Sequence, residues 1–312
     1  YGGGEANVAV ALAGFGLKSW FVTRLPEHEI GESALQAVRR YGVGTDYIVR
    51  GGDRLGIYFL ETGASQRPSK VIYDRAGSAV SEMDAGMVDW DEVFKGKEWF
   101  HWTGITPALG EMPAASVEAA CKAARKAGVT VSCDLNFRGK LWTEQKARSV
   151  MQPLMKYVDV CIANEEDAQK SLGFEAGSTD VEGAELDEEG YFNLARELKQ
   201  AYDFQTVAIT LRESFSASLN GWSAVLHDEK ECREPVRSTR YEINIVDRVG
   251  GGDSFASGLI YGLLAKPNTR DALEFAVAAS CMKQTIPGDF NLVRSGEVEK
   301  LVQSGGSGRV ER

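Results

Sequence analysis

The sequence predicts an α/β fold, a three-layer α/β/α sandwich with a mainly parallel sheet and a small β-sheet lid. Two observations carry this. From about Gly77 onward, strand-like and helix-like stretches alternate, the pattern of parallel strands covered by helices on both faces. Ahead of that region lie two β-rich runs, LGIYFLE (Leu55 to Glu61) and KVIYDRA (Lys70 to Ala76). Only the polar loop TGASQRPS separates them, and they lack the helices that flank the later strands. They read as a small antiparallel element standing apart from the main sheet.

The elements follow in order. After YGGGE, the segment Ala6 to Leu17 places Val8, Leu12 and Phe15 at helical spacing and stops at Gly14 and Gly16. SWFVTRL (Ser19 to Leu25) reads as a strand, and GESALQAVRRYGV as a helix ending at Gly42. Beyond the lid runs come the strands EWFHWTGI, VTVSCDLN, VDVCIAN and TVAITL. Between them lie helices around ASVEAACKAARKAG, ARSVMQPLMKY and EEDAQKSLG. Glu175 to Gly190 holds seven acids and reads as an exposed insertion, and the tail GGSGRVER as mobile. One domain is expected over 1–312. Residues of about 1–4 and 46–76 would form its lid, about 5–45 and 77–303 its core, and 304–312 a flexible tail.

Composition narrows the function. A formal net charge of −10 argues against a general nucleic-acid binder, which carries a basic face. No apolar run approaches the roughly 18 residues that cross a bilayer. The five cysteines are scattered with no CxxC pair, the usage of reduced thiols in a cytoplasmic protein, and no metal site is expected.

In such a sheet, ligands gather at the carboxyl ends of the strands, which directs attention to DLNFR (134–138), ANEED (163–167) and TLRES (210–214). The sharpest feature is VGGGDSFASGLIYGLLA, where Phe255, Leu259, Ile260 and Leu263 form a helical stripe. That helix therefore starts inside the glycines. Its first N–H groups lack intrahelical partners, and Gly250, Gly251 and Gly252 let a ligand approach them, giving an anion hole for a phosphoryl group. Asp253 repels phosphate, so it suits a general base that accepts a hydroxyl proton. An N-cap in an ordinary glycine turn is the other reading of the same residue. There is no GxxxxGK[ST] loop and no protein-kinase set of motifs. His101, at a strand end, reads as a satisfied structural histidine.

Asp247 to Phe255, D-x-V-G-G-G-D-S-F, resembles the C-terminal signature of the ribokinase-like, or PfkB, carbohydrate kinases. The opening GGGEANVAVALAGFG resembles their N-terminal signature. Both occur in the family's order, and the resemblance spans Tyr1 to about Val302. It implies a ribokinase-like fold, with Asp253 as base and Gly250 to Gly252 as anion hole. It also implies a strand and turn ahead of YGGG. Arg248 stands where many members carry Thr, and its side chain is expected to point away from the site.

Within the family, GIYFLE, VIYDRAGSA, WTGIT, DLNFRGKLW and TIPGDFN are most similar to the 2-keto-3-deoxygluconate kinases. The resemblance implies sugar contacts at Gly3, Gly4, Asn7, Tyr58, Tyr73, Arg75, Asn136 and Arg138. It implies ATP and Mg²⁺ contacts at Asn164, Asp167, Thr210 and Arg212, and an adenine pocket completed near Lys283, Gly288, Asp289 and Asn291. Asp167 takes the place of the family's usual glutamate, with Glu166 beside it, and either carboxylate could serve the metal. The physical chemistry agrees, since a sugar acid carries a carboxylate that Arg75 and Arg138 could hold. An ordinary surface arginine, and a packing role for the two tyrosines, are the alternatives. The resemblance also implies a homodimer through the lid. A PfkB kinase of a neutral sugar such as fructose or ribose is the rival reading, and a non-catalytic sugar-binding regulator a third.

Overall fold

The computed structural model describes residues 1–176, 187–228 and 231–305. The chain opens with α1 (Gly4–Gly14), a two-residue strand β1 (Arg24–Leu25), α2 (Glu29–Arg39) and β2 (Val49–Arg50), which pairs parallel to β1. Strands β3 (Ile57–Glu61) and β4 (Lys70–Asp74) form a separate antiparallel pair with Tyr58 opposite Tyr73. The core then alternates: α3 (Trp90–Phe94), β5 (Trp99–Thr103), α4 (Ile105–Ala108), α5 (Glu111–Lys126), β6 (Thr130–Asp134), α6 (Glu144–Met155), β7 (Val160–Ala163), α7 (Glu165–Leu172), α8 (Glu188–Tyr202) and β8 (Thr206–Ser214). Three antiparallel strands follow, β9 (Leu219–Asp228), β10 (Cys232–Arg237) and β11 (Tyr241–Asn244). The helices α9 (Gly251–Ala265), α10 (Thr269–Lys283) and α11 (Ser295–Ser304) close the described chain.

Strands β5 to β8 are mutually parallel, as the alternation predicts. The sheet runs β10-β9-β8-β7-β6-β5, with β11 also paired to β9. β7 is buried along its whole length and serves both faces. Cys161 and Ala163 pack with Ala124, Met151 and Leu194 of α5, α6 and α8. Val160 and Ile162 pack with Phe255, Leu259 and Ala276 of α9 and α10. These are the three layers.

The strand expected at Ser19–Leu25 is corrected. Only Arg24–Leu25 and a bridge from Trp20 to Gly44 form. Trp20 and Arg24 are four residues apart, whereas their partners Gly44 and Val49 are five apart, so one extra residue interrupts the ladder. The acidic segment falls largely on residues 177–186, outside the described residues, as does the tail from 306. Among the described residues, no helix is long and apolar enough to cross a membrane.

The β3–β4 sheet rests on the core at three places. Ala217 donates its backbone N–H to Ser65 O at 2.8 Å, and Lys140 Nζ to Val71 O at 2.7 Å. Tyr58 donates its hydroxyl to the Asp289 carboxylate. The opposite face of this sheet leaves Ile57, Phe59 and Ile72 48%, 59% and 66% exposed.

Candidate active site

One cleft of about 1710 Å³ takes in the inner face of β3–β4 and the carboxyl ends of the parallel strands. Helix α9 begins at its wall. Gly250 is the N-cap with φ 76°, and a Cβ there would lie 2.2 Å from Asp289 O, so both conformation and space require glycine. A Cβ at Gly252 would meet nothing within 4 Å, because that side opens to the cleft. Gly251 N–H turns back to Arg248 O at 3.2 Å. The next amides, of Gly252 and Asp253, sit in the first helical turn, where no carbonyl lies below them. Together with the helix dipole they form a cradle for an anion.

Asp253 is the third residue of α9 and does not cap it, which removes the capping alternative. Asn7 Nδ2 donates to Asp253 Oδ2 at 2.7 Å. Burial pushes the Asp253 carboxyl up to about 6, against the opposing pull of Asn7 and of the Arg138 charge. Asn7, expected to touch the sugar, thus directs its N–H at the aspartate, while its buried Oδ1 has no partner. Gly3 (φ 133°) caps α1, and a Cβ at Gly4 would stand 3.5 Å from Asp253 Oδ1. The glycine run therefore brings the start of α1 close to this carboxylate.

On the lid side, Tyr58 and Tyr73 face inward with ring centroids 6.4 Å apart. Arg75 lies 4.0 Å from the Tyr73 ring centroid. Its Nε and Nη2 are buried and have no hydrogen-bond partner among the described residues. Burial, and to a smaller extent the Arg138 charge, lower the Arg75 pKa, and both arginines line the cleft. Arg138 is held by a turn in which Asn136 adopts φ 40° and Asp167 Oδ1 accepts Phe137 N–H at 2.8 Å. Arg138 donates to Phe137 O at 3.0 Å. It also lies within electrostatic reach of three carboxyls that burial raises, Asp134, Asp167 and Asp253.

On the other side, Asn164 caps α7 by accepting Asp167 N–H at 2.8 Å, and Glu166 pairs with Lys170 at 2.6 Å. Thr210 Oγ1 donates to Ala163 O at 3.4 Å. β8 runs on to Ser214 in a hairpin with β9, so Arg212 projects from within a strand, opposite Trp222, rather than from a strand end. All four of Asn164, Asp167, Thr210 and Arg212 line the cleft.

Lys283, Gly288 and Asn291 lie outside the lining of this cleft. Lys283 is fully buried behind the glycine turn, with Nζ 3.2 Å from Ile286 O and 3.4 Å from Asp247 O. Gly288 N–H donates to Asp247 Oδ2 at 2.9 Å. Asn291 is buried with its amide on Ser254 Oγ at 2.6 Å. All three brace α9. Asp289, expected at the adenine pocket, turns its carboxylate to Tyr58 in the cleft, and sequence reasoning gave no role to Asp134. Arg248, expected to point away, lines the cleft. His101, expected to be a satisfied structural histidine, is only half satisfied among the described residues: Nδ1 lies 2.8 Å from Ser132 Oγ, Nε2 is buried without a hydrogen-bond partner, and burial pulls its pKa down to about 3.

The model of the pfkB family carbohydrate kinases matches residues 1–291. This chain belongs to the PfkB carbohydrate kinases. It is therefore a phosphotransferase of a family that uses ATP. The PfkB kinase is 32% identical over 308 residues to the 2-dehydro-3-deoxygalactonokinase of Haloferax volcanii, across 98% of this chain and 88% of the relative. It is 28% identical to the 2-dehydro-3-deoxygluconokinase of Thermoproteus tenax, across 97% and 85%. The crystal structure of the 2-dehydro-3-deoxygluconokinase from Thermotoga maritima superposes with a TM-score of 0.92 at 53% identity, covering 97% of this PfkB kinase and 89% of that chain.

Proposed function

We propose that this PfkB kinase transfers the γ-phosphoryl group of ATP to the 6-hydroxyl of 2-keto-3-deoxygluconate, giving the 6-phosphate. One observation carries the sugar-acid reading. Two arginines, Arg75 and Arg138, line the same cleft, and among the described residues the buried Nε and Nη2 of Arg75 have no hydrogen-bond partner. A neutral sugar leaves that charge uncompensated; a carboxylate answers it with charge-assisted hydrogen bonds. The relatives named above, 2-dehydro-3-deoxygalactono- and gluconokinases, support the same substrate class.

In this reading the sugar lies between Tyr58, Tyr73, Arg75 and Arg138, with its far hydroxyl at Asp253. Asp253 accepts the hydroxyl proton as the oxygen bonds to γ-phosphorus. The bond to the β–γ bridging oxygen breaks, and ADP leaves. The amides around Gly250 to Gly252 hold the charge on the transferring group. Glu166 and Asp167 face the cleft with oxygens that suit a hard cation held mainly by phosphate and water, so Mg²⁺ fits here. Mg²⁺ supplies charge neutralisation along the phosphates. The reading also places the enzyme in the cytoplasm, where ATP is available and Cys121, Cys133 and Cys161 stay reduced. It further includes a homodimer formed through the apolar outer face of β3–β4.

Steady-state kinetics with 2-keto-3-deoxygluconate, its C4 epimer, fructose and ribose test the substrate. The sugar acids should exceed the neutral sugars by about 100-fold in kcat/KM, the scale of a bidentate ionic contact. Equal values for fructose would overturn the carboxylate assignment.

A further inference from the structure

The cleft is lined by a second pair of arginines, Arg212 and Arg248. We infer that Arg248 and Arg212 together clamp the phosphates of the bound nucleotide, so that this chain supplies its own guanidinium to the group in transfer. The inference rests on the kinase reading above and adds a residue to it.

Arg248 stands two residues before Gly250, half-buried, at the turn that opens α9. Its Nη2 donates to Ala217 O at 3.3 Å, in the turn between β8 and β9. That bond leans the side chain toward the hairpin whose first strand carries Arg212. Both residues line the cleft, together with Gly250 to Gly252. Among the described residues, neither guanidinium has a carboxylate within ion-pair distance. Burial, and then the nearby Arg212 charge, lower the Arg248 pKa. Two apposed cations beside an anion cradle gain most from a ligand that carries several negative charges.

Electrostatics also separates this pair from the other one. Arg75 and Arg138 interact with each other at the lid, and Arg138 with Asp253. Arg212 and Arg248 interact at the α9–β8 side, and Arg212 with Glu165 of α7. Asp253 and the free amides connect the two poles. One pole suits a single carboxylate, and the other, joined to a helix N-terminus, suits a polyphosphate. A guanidinium presents a planar fork to phosphate oxygens, which an ammonium cannot copy.

Calorimetric titration of the full chain with adenosine, AMP, ADP and ATP, each with Mg²⁺, tests this without any sugar. Arg248→Gln should weaken ATP binding by about 10- to 100-fold while leaving adenosine unchanged, as loss of one charged hydrogen-bonding group implies. Arg248→Lys should recover only part of the loss, and Arg212→Gln should weaken the same phosphates. The double variant should lose less than the two single losses combined, because the pair acts on shared oxygens. Unchanged ATP affinity in Arg248→Gln overturns the clamp, and so does an equal loss for adenosine, which would mark a structural role. If Arg248→Gln does not fold, Arg248→Lys and Arg212→Gln carry the same comparison. An error in the sugar leaves these titrations untouched, whereas a wild-type chain that binds no nucleotide overturns both the clamp and the kinase reading.

Discussion

Asn7 and Asp253, 246 positions apart, meet through a 2.7 Å hydrogen bond from the amide to the carboxylate. The bond joins the start of α1 to the start of α9, the two places where the chain concentrates glycine. It fixes the carboxylate, and it stabilises the ionised form that a base needs.

Asp253→Asn should therefore leave ATP and sugar-acid binding intact while kcat falls at least about 1000-fold, within the range for loss of a general base. Calorimetry on the variant, beside single-turnover kinetics, checks this. A rate within tenfold of wild type removes Asp253 as base.

The pH dependence has a definite sign. A base is active when deprotonated, so kcat/KM should rise with pH through about 6, the value to which burial raises Asp253. Asn7→Ala removes an interaction that lowers this pKa, and should move the same limb to higher pH. Stability runs the other way. A carboxyl raised in the folded state favours folding below the unfolded value of 3.8 and loses that contribution as pH climbs through about 6. At pH 8 Asp253→Asn should thus match or exceed wild type, by at most about 3 kcal/mol for a shift of this size, less because the carboxyl opens to the cleft. Urea unfolding at pH 5 and pH 8 reads the difference.

The three glycines are not equivalent. Gly250→Ala forces a Cβ against the Asp289 carbonyl from a left-handed backbone, and should destabilise the protein by several kcal/mol. Gly252→Ala meets no protein atom within 4 Å, so the melting temperature should hold. Its methyl would stand where the phosphoryl group must pass, and kcat should drop. Parallel melting curves and rates on the two variants separate fold from function.

Much of this arrangement is legible in the sequence, for reasons that differ by region. The parallel core declares itself because VDVCIAN and VTVSCDLN are buried on both faces and cannot alternate. The glycine triplet declares its helix start because Phe255, Leu259 and Ile260 set the phase. What escapes is long-range. Nothing local marks Asp289 as the partner of Tyr58, 231 positions away. Nothing marks the extra residue between Gly44 and Val49 that breaks the Ser19–Leu25 ladder. Arg248 escapes because its direction depends on a carbonyl at Ala217, in another element. The inward turn of Lys283 and Asn291 escapes as well, because a position near a site in sequence does not reveal which side of the turn a side chain takes.

The lid carries a prediction about assembly. Ile57, Phe59 and Ile72 present an apolar face beside Glu61, Lys70 and Asp74, a surface that a second copy could cover. Phe59→Asp lies on the outward face, and should convert a dimer to a monomer in light scattering. A wild-type chain that is monomeric at tens of micromolar removes the interface.

Lys283 has the most constrained setting of any cation in the described chain. It is fully buried, and its ammonium reaches the carbonyls of Asp247 and Ile286 rather than a carboxylate. Those carbonyls belong to the two segments that flank the Gly250 turn, and Lys283 Cε lies 3.4 Å from where a Gly250 Cβ would stand. The charge thus ties the turn to the loop that carries Asp289. Lys283→Met keeps the stem and removes the donor, so the turn should loosen and kcat should fall about tenfold, the scale of one buried hydrogen bond to a charged group. Burial lowers the folded pKa beneath the ordinary 10.5, so above the folded value the unfolded chain binds more protons. Wild-type stability should therefore gain on Lys283→Met as pH rises toward 10.5, and urea unfolding at pH 7.5 and pH 10 measures it. A constant difference between the two proteins across that interval would mean that Lys283 holds its proton as firmly in the folded chain as in the unfolded one, and would overturn the lowered pKa.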